Sequence, residues 1–409
     1  MSRSTETGRH PDLARWRADT PGTAHRNHLN NAGAALMPTP VHQAIVDHLA
    51  LERDTGGYEA ADAREDAITA GYGHLAALVG AEPRNLAVTA NSTTAFVQAL
   101  SAFDFAPGDA IVTSRCDYTS NQIHYLALRE RLGVEVIHAP DLAEGGVDPD
   151  GVRAAVLAAR QRGRCRLVAV SWVPTNSGLV QDVAAVGTVC RDLEVPYLVD
   201  ACQAVGQIPI DVSQLHCDYL SATGRKFLRG PRGIGFLYVS DRALARGDYP
   251  LFVDMRGARW VAEGRFEVVP TARRFEDWEF PYALVLGQAE AARYAREVGA
   301  EVARARAWGL AARLRAGLGA LPGVRILDRG ATRCAIVTFA PSRGRADGLV
   351  AFLAARQINA VVSLREYGQY DFGQKGVEAA VRLSPHYYNS EEEIDAAVAA
   401  VTEYLGSGG

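Results

Sequence analysis

The sequence reads as an α/β protein with a mainly parallel central sheet in a large domain and a smaller α+β domain at the C-terminal end. Three observations carry that expectation. Seven short apolar runs, Leu86 to Thr89, Ala110 to Ser114, Val134 to His138, Leu167 to Ser171, Pro196 to Val199, Tyr219 to Ser221 and Phe236 to Val239, alternate with helix-period stretches, as strands joined by crossover helices do. An Ala/Arg-rich helical region from about Tyr282 to Leu318, broken near Gly299, then separates these from apolar runs at Val324 to Leu327, Ala335 to Phe339 and Ala360 to Val362 and a closing helix from Glu391 to Leu405. Finally, 409 residues at 48% hydrophobic and 22% charged are enough for two packed regions. The division expected is a lead over 1–27, a large domain over 28–281 and a small domain over 282–409.

Taken in order, Met1 to Thr20 is polar, with no apolar core of the kind a secretion signal needs, and no apolar run approaches the roughly 18 residues of a membrane span. A cytoplasmic enzyme is expected. His28 to Ala35 is a short extended piece entering small residues that let a ligand approach the backbone, and Pro38 and Pro40 open a helix near Val41. Thr55-Gly56-Gly57-Tyr58 interrupts that helix before a second runs to about Val79. The corner at Tyr58 is exposed unless a partner covers it. In a parallel sheet, ligands gather beyond the carboxyl ends of the strands. Attention therefore falls on Asn91 to Thr94, Cys116 to Asn121, Thr175 and Asn176, Asp200 to Gln203, and the turn at Lys226; Arg256 to Phe280 reads as a linker.

Several function classes drop out on composition. A net charge of −4 and no basic run interleaved with aromatics argue against nucleic acid. The six cysteines stand singly with no C-x-x-C pair, against zinc, iron–sulfur or a disulfide framework. No metal site is expected. There is no G-x-x-x-x-G-K-[ST], and Gly230 to Gly235 lacks dinucleotide-binding spacing.

What remains points to an amine. Only Lys226 and Lys375 are lysines among 43 basic residues. A desolvated ammonium gives up its proton and attacks a carbonyl, whereas a guanidinium does not. Arg225, Arg229 and Arg232 are expected to depress Lys226 further; a surface lysine before a turn is the plain alternative. Asp200 ends a strand with Gln203 three residues on. An acid there either caps a helix or holds a pyridinium proton, the electrostatic need of pyridoxal phosphate. Asn91-Ser92-Thr93-Thr94 brings hydroxyls and free N–H groups to a helix start, which suits an anion.

These motifs, together with Gly-Pro-x-Gly-Ile-Gly after Lys226 and Arg382-Leu-Ser-x-x-x-Tyr-Asn, resemble the class V aminotransferase group of fold-type I enzymes that depend on pyridoxal 5'-phosphate. The resemblance runs from about Leu29 to Leu405. It implies that Lys226 joins the cofactor aldehyde, Asp200 pairs with the ring nitrogen and Gln203 meets the ring hydroxyl. Thr93, Thr94, Thr223 and Arg225 would bind the phosphate. Tyr118 would stack on the ring and take a catalytic role beside Lys226. Arg382 would grip the substrate carboxylate, a task that suits a bidentate fork, unless it serves a surface salt bridge. Asn31, Gly33, Tyr58 and Asn176 complete the substrate side, with Thr175 and Asn176 both open as the residue near the ring. A homodimer with shared sites is implied, Tyr58 and the 256–279 linker reaching the neighbour; the family's partner-chain phosphate threonine falls near Glu279.

The departures bear on the reaction. Cysteine desulfurases carry a reactive cysteine in a loop matching about Ser363 to Gly373, where this chain has none. Gly56-Gly57-Tyr58, Asp117-Tyr118 and Gly224-Arg225-Lys226 resemble instead the hercynylcysteine sulfoxide lyases of ergothioneine biosynthesis and related enzymes of lincosamide assembly. The activity this implies is β-elimination from an S-conjugated cysteine, a thioether or sulfoxide, to a thiol or sulfenate, pyruvate and ammonia. Decarboxylative oxidative deamination, epimerisation, transamination and a non-catalytic binding role are the alternatives.

Overall fold

A computed structural model describes residues 10–342 and 344–407; the first nine residues of the polar lead and the last two of the chain lie outside it. The central sheet has seven strands in the order Leu86–Thr89, Gly235–Val239, Tyr219–Thr223, Tyr197–Asp200, Arg164–Ser171, Asp109–Thr113 and Glu135–His138. Gly235–Val239 runs antiparallel to both neighbours and the other pairings toward Glu135–His138 are parallel. Its inner strands are buried throughout, which is why they read as continuous apolar runs rather than alternating ones. All seven expected runs form strands, shifted by a few residues at their ends.

The helical region splits as expected into Tyr282–Val298 and Ala300–Gly319, because Gly299 takes a φ of 87° and ends the first helix. Beyond it, Val324–Ile326, Val337–Pro341, Ala379–Leu383 and Val361–Leu364 form an antiparallel sheet in that order, and Glu391–Gly406 closes the chain with a Ser390–Glu393 capping box. The described part of the lead packs against this C-terminal region. Leu13 and Trp16 of the helix Leu13–Ala18 are buried with Tyr294, Val298, Tyr387 and Tyr388, and Asn27–His28 pairs in parallel with Ile358–Asn359. Among the described residues no helix is long and apolar enough to cross a membrane.

The stretch read as a linker, 256–280, holds structure of its own. Ala258–Ala262 and Arg265–Val268 form an antiparallel hairpin, and Glu276 anchors the chain beyond it. The buried carboxylate of Glu276 accepts from Tyr72 Oη at 2.6 Å, Val88 N at 2.8 Å and Arg256 Nε at 2.7 Å. The hairpin leaves no mark in the sequence because its side chains are mostly exposed on both faces, so no alternation sets it apart. Glu276→Ala is expected to cost roughly 3–5 kcal/mol, since it removes the buried acceptor of Tyr72, Val88 N and the largely shielded Arg256; a urea midpoint lowered at unchanged slope would show it.

Candidate active site

The carboxyl ends of the central strands open on a cavity of about 450 Å3 lined by Asn91, Ser92, Thr93, Thr94, Tyr118, Asn121, Asp200, Cys202, Thr223, Arg225, Lys226, Arg232 and Gly233. Seven residues picked from separate stretches of sequence, Thr93, Thr94, Tyr118, Asp200, Thr223, Arg225 and Lys226, therefore share one wall. Lys226 follows the strand Tyr219–Thr223 in a loop closed by Gly230 N donating to Gly224 O at 2.8 Å. It is 6% exposed, and no longer reads as a surface lysine. Burial pushes its amine below the ordinary lysine range; Cys202 and Asp200 oppose this, and Arg225 and Arg382 add to it. The ring of Tyr118 lies 5.8 Å from Nζ. Arg229 corrects the expectation of three arginines around Lys226. With φ at 63° it turns away, and its guanidinium donates to Leu36 O, Tyr387 Oη and Thr20 Oγ1. Arg382, distant in sequence, takes its electrostatic place.

Asp200 is buried at its strand end, and no helix starts after it. Its Oδ1 accepts from Cys202 N at 3.0 Å, and its Oδ2 from Asn121 Nδ2 and Ser171 Oγ, each at 3.2 Å. Gln203 donates to Ala32 O at 3.0 Å and Thr175 Oγ1 at 2.9 Å, which leaves Oε1 buried with no protein partner. The helix Ser92–Ser101 is capped by the Asn91 side chain, which accepts from Thr94 N at 2.9 Å and Thr94 Oγ1 at 3.3 Å. With the cap supplied by asparagine, Ser92, Thr93 and Thr94 line the cavity together with Thr223, Arg225 and Arg232.

Arg382 stands on the strand Ala379–Leu383 and is buried, so the surface salt bridge is ruled out. Its guanidinium donates to Thr175 O at 2.8 Å, Thr175 Oγ1 at 3.0 Å and Asn30 Oδ1 at 3.1 Å, while Nε is buried without a partner. Burial, with Arg225 nearby, pulls its pKa down to about 10. Of the two neighbours left open, Thr175 faces Arg382 and Gln203. Asn176 is turned toward Asp371, with Nδ2 3.4 Å from its carboxylate. A similar one-residue shift affects Asn31, whose side chain is spent on His28 O, Ser384 O and the hydroxyl of Tyr388; Asn30 meets Arg382 instead. Gly33 contributes backbone, its carbonyl accepting from Arg225. A side chain there would collide with Asn30, its Cβ lying 2.6 Å from Asn30 Oδ1. Tyr58 is 70% exposed and lines no part of the cavity.

Ser92, Asn121, Cys202 and Asn30 all fall inside stretches the sequence singles out, but none receives a role of its own there. Asn121 lay within a flagged stretch, but nothing in sequence shows that one turn of helix brings it to Asp200.

Pyridoxal 5'-phosphate fits what these residues leave unsatisfied. The buried Oε1 of Gln203 lacks a donor, the cations Arg225 and Arg232 and the start of a capped helix face one end of the cavity, and a desolvated amine and a buried carboxylate face the rest. The depressed amine also has a stability consequence. The unfolded chain holds the Lys226 proton more tightly than the folded one, so stability rises with pH between the depressed and the ordinary lysine pKa, and the cost is complete below that window. Lys226→Met is expected to stabilise the coenzyme-free protein at neutral pH and to lose that advantage at strongly alkaline pH; paired urea titrations of parent and variant measure both.

Comparison with known proteins agrees with this geometry. The family model described as aminotransferase class-V matches residues 27–397. The cysteine desulfurase IscS of Salmonella schwarzengrund is 30% identical over 357 residues, covering 84% of this chain and 82% of that protein. Among solved structures, a cysteine desulfurase from Thermococcus onnurineus NA1 superposes with a TM-score of 0.88 at 23% identity over 98% of this chain and 99% of that one, a likeness of fold. The cystine C–S lyase C-DES, in complex with its product cysteine persulfide, gives a TM-score of 0.82 at 26% identity over 94% of this chain and 99% of that one. The chain belongs to the class-V aminotransferase family.

Proposed function

We propose that this protein is a pyridoxal 5'-phosphate-dependent carbon–sulfur β-lyase. It takes an S-conjugated cysteine, thioether or sulfoxide, and releases a thiol or sulfenate with pyruvate and ammonia. One observation carries the choice within the family. The segment 363–373, where the desulfurase resemblance would place a reactive thiol, holds no cysteine and is folded as a strand end and the helix Gln369–Lys375. The thiol that does reach this segment, Cys116, lies 3.8 Å from Asp371, is buried, and has its pKa pushed well up by burial, so it is a poor nucleophile. The likeness to a cystine C–S lyase supports the same reading.

The bound coenzyme supplies an electron sink that makes the substrate Cα–H acidic. Thr93, Thr223, Arg225 and Arg232 would hold its phosphate, Asp200 would pair with its ring nitrogen, and Gln203 Oε1 would accept from its ring hydroxyl. Arg382, lined up by Thr175 and Asn30, holds the substrate carboxylate through N–H groups. Lys226, whose amine burial pushes below the ordinary lysine range, is the base placed to take the proton from Cα. Tyr118 covers the ring and delivers a proton to the departing sulfur. The Gly56-Gly57-Tyr58, Asp117-Tyr118 and Gly224-Arg225-Lys226 wording favours a sulfoxide or bulky thioether of natural-product assembly over free cysteine.

The enzyme is read as a homodimer. Tyr58, Phe252 and Trp260 are 70%, 82% and 80% exposed, and large exposed aromatics of this kind mark interaction surfaces. A light-scattering mass of two chains is expected; a mass of one would remove this part of the reading. For the reaction, an S-alkylcysteine should yield pyruvate with neither carbon dioxide nor peroxide, and release of either one would favour the oxidative deaminase. Lys226→Ala should lower turnover by roughly two to four orders of magnitude. Arg382→Lys should raise KM roughly ten- to hundredfold, the worth of hydrogen bonds to a charged group.

A further inference from the structure

Behind the cavity wall lies a second buried carboxylate that touches no part of the cavity. Asp117 is 5% exposed and sits between Cys116 and Tyr118. Its Oδ1 accepts from Tyr118 N at 2.6 Å, Ser171 Oγ at 2.6 Å and Asn121 Nδ2 at 3.0 Å; its Oδ2 accepts from Thr113 Oγ1 at 3.1 Å and Gln122 Nε2 at 3.3 Å. Three of these donors are N–H groups, which only donate, so the cluster is built for a carboxylate rather than a carboxylic acid. Burial, with the charge of Asp200, moves Asp117 above the ordinary aspartate range, and the bonds from Ser171, Asn121 and Tyr118 N limit the rise.

Two of the donors are shared with Asp200. Ser171 Oγ lies 2.6 Å from Asp117 and 3.2 Å from Asp200; Asn121 Nδ2 lies 3.0 Å and 3.2 Å from them. The hydroxyl owns one proton and the amide nitrogen two. Asn121 can therefore serve both carboxylates, whereas Ser171 must choose, and the shorter contact gives its proton to Asp117. Asp200 is left with Asn121 Nδ2 and Cys202 N as its donors, and a second carboxylate stands on the other side of the donors they share. Both conditions favour a proton on whatever Asp200 faces across the cavity.

We propose that Asp117 is a positioning residue that claims the Ser171 hydroxyl and adds its own charge behind Asp200. Through Asp200 it keeps the ring nitrogen of the bound coenzyme protonated. This rests on the coenzyme reading above. Asp117 acts only through its neighbours, orienting Ser171 and Asn121 and, by the bond from Tyr118 N, the turn that carries Tyr118.

The test is the 15N chemical shift of ring-labelled pyridoxal phosphate in the reconstituted protein, with coenzyme affinity measured by fluorescence titration. The parent should show a protonated ring nitrogen. Asp117→Asn should move the shift toward the unprotonated value and weaken coenzyme binding roughly three- to tenfold, an ordinary coupling within one hydrogen-bond network. Ser171→Ala keeps both carboxylates and should retain the parent shift, because Asp200 does not draw on that proton. A parent-like shift in loaded Asp117→Asn overturns the proposal, as does a displaced shift in Ser171→Ala, which decides the matter even if Asp117→Asn does not fold. A parent that binds no pyridoxal phosphate overturns the coenzyme reading itself, a different result from either.

Discussion

The guanidinium of Arg229 holds together three parts of the chain that the active site needs in register. It is buried among neutral partners, donating to Thr20 Oγ1 and Leu36 O from the N-terminal segment and to Tyr387 Oη from the C-terminal one. The faces of Tyr388, Tyr387 and Tyr294 lie 4.5, 5.2 and 5.8 Å from it. A buried cation is tolerable only when its N–H groups are matched and its charge meets electron-rich surface. That requirement forces the lead, the Lys226 loop and the C-terminal turn into one arrangement. The left-handed φ of Arg229, costly for a residue with a side chain, is compensated there.

From that anchor the electrostatics of the site are set. Arg225 and Arg382 act on an amine that has been taken out of water, Arg232 lines the same cavity, and Arg382 meets neutral oxygens only, with its Nε unpartnered. The surplus of positive charge is balanced on the opposite side by Asp200 and, behind it, Asp117. A phosphate and a substrate carboxylate are the natural counter-ions of the unmatched cations. The other lysine shows the contrast: Lys375 forms a 2.6 Å buried ion pair with Asp371 and is neutralised in place.

Much of the site was legible because the fold puts the residues after each parallel strand on one edge. Reading the ends of the apolar runs therefore found Thr93, Tyr118, Asp200 and Lys226 without coordinates. The errors share a cause. Asn30 against Asn31 and Thr175 against Asn176 are choices between adjacent side chains at turns, where no repeating period says which one points inward. The choice depends on which one meets Arg382 from another sheet. The hairpin at 258–268 was missed because an exposed ribbon carries no burial pattern.

Sequence alone determined the α/β class, the order of the strands along the chain, the lysine and the carboxylate, since apolar period, chain order and side-chain chemistry are properties of residues taken locally. Tertiary structure decided which arginine stands near Lys226, which asparagine faces Arg382, and that Ser171 and Asn121 stand between two carboxylates. Those are distances between segments far apart in the chain, and they are set by how the buried charges of Arg229, Glu276, Asp117 and Asp200 find enough donors and acceptors at once. No local pattern records such a balance, because each partner is common by itself and its meaning comes only from what it meets.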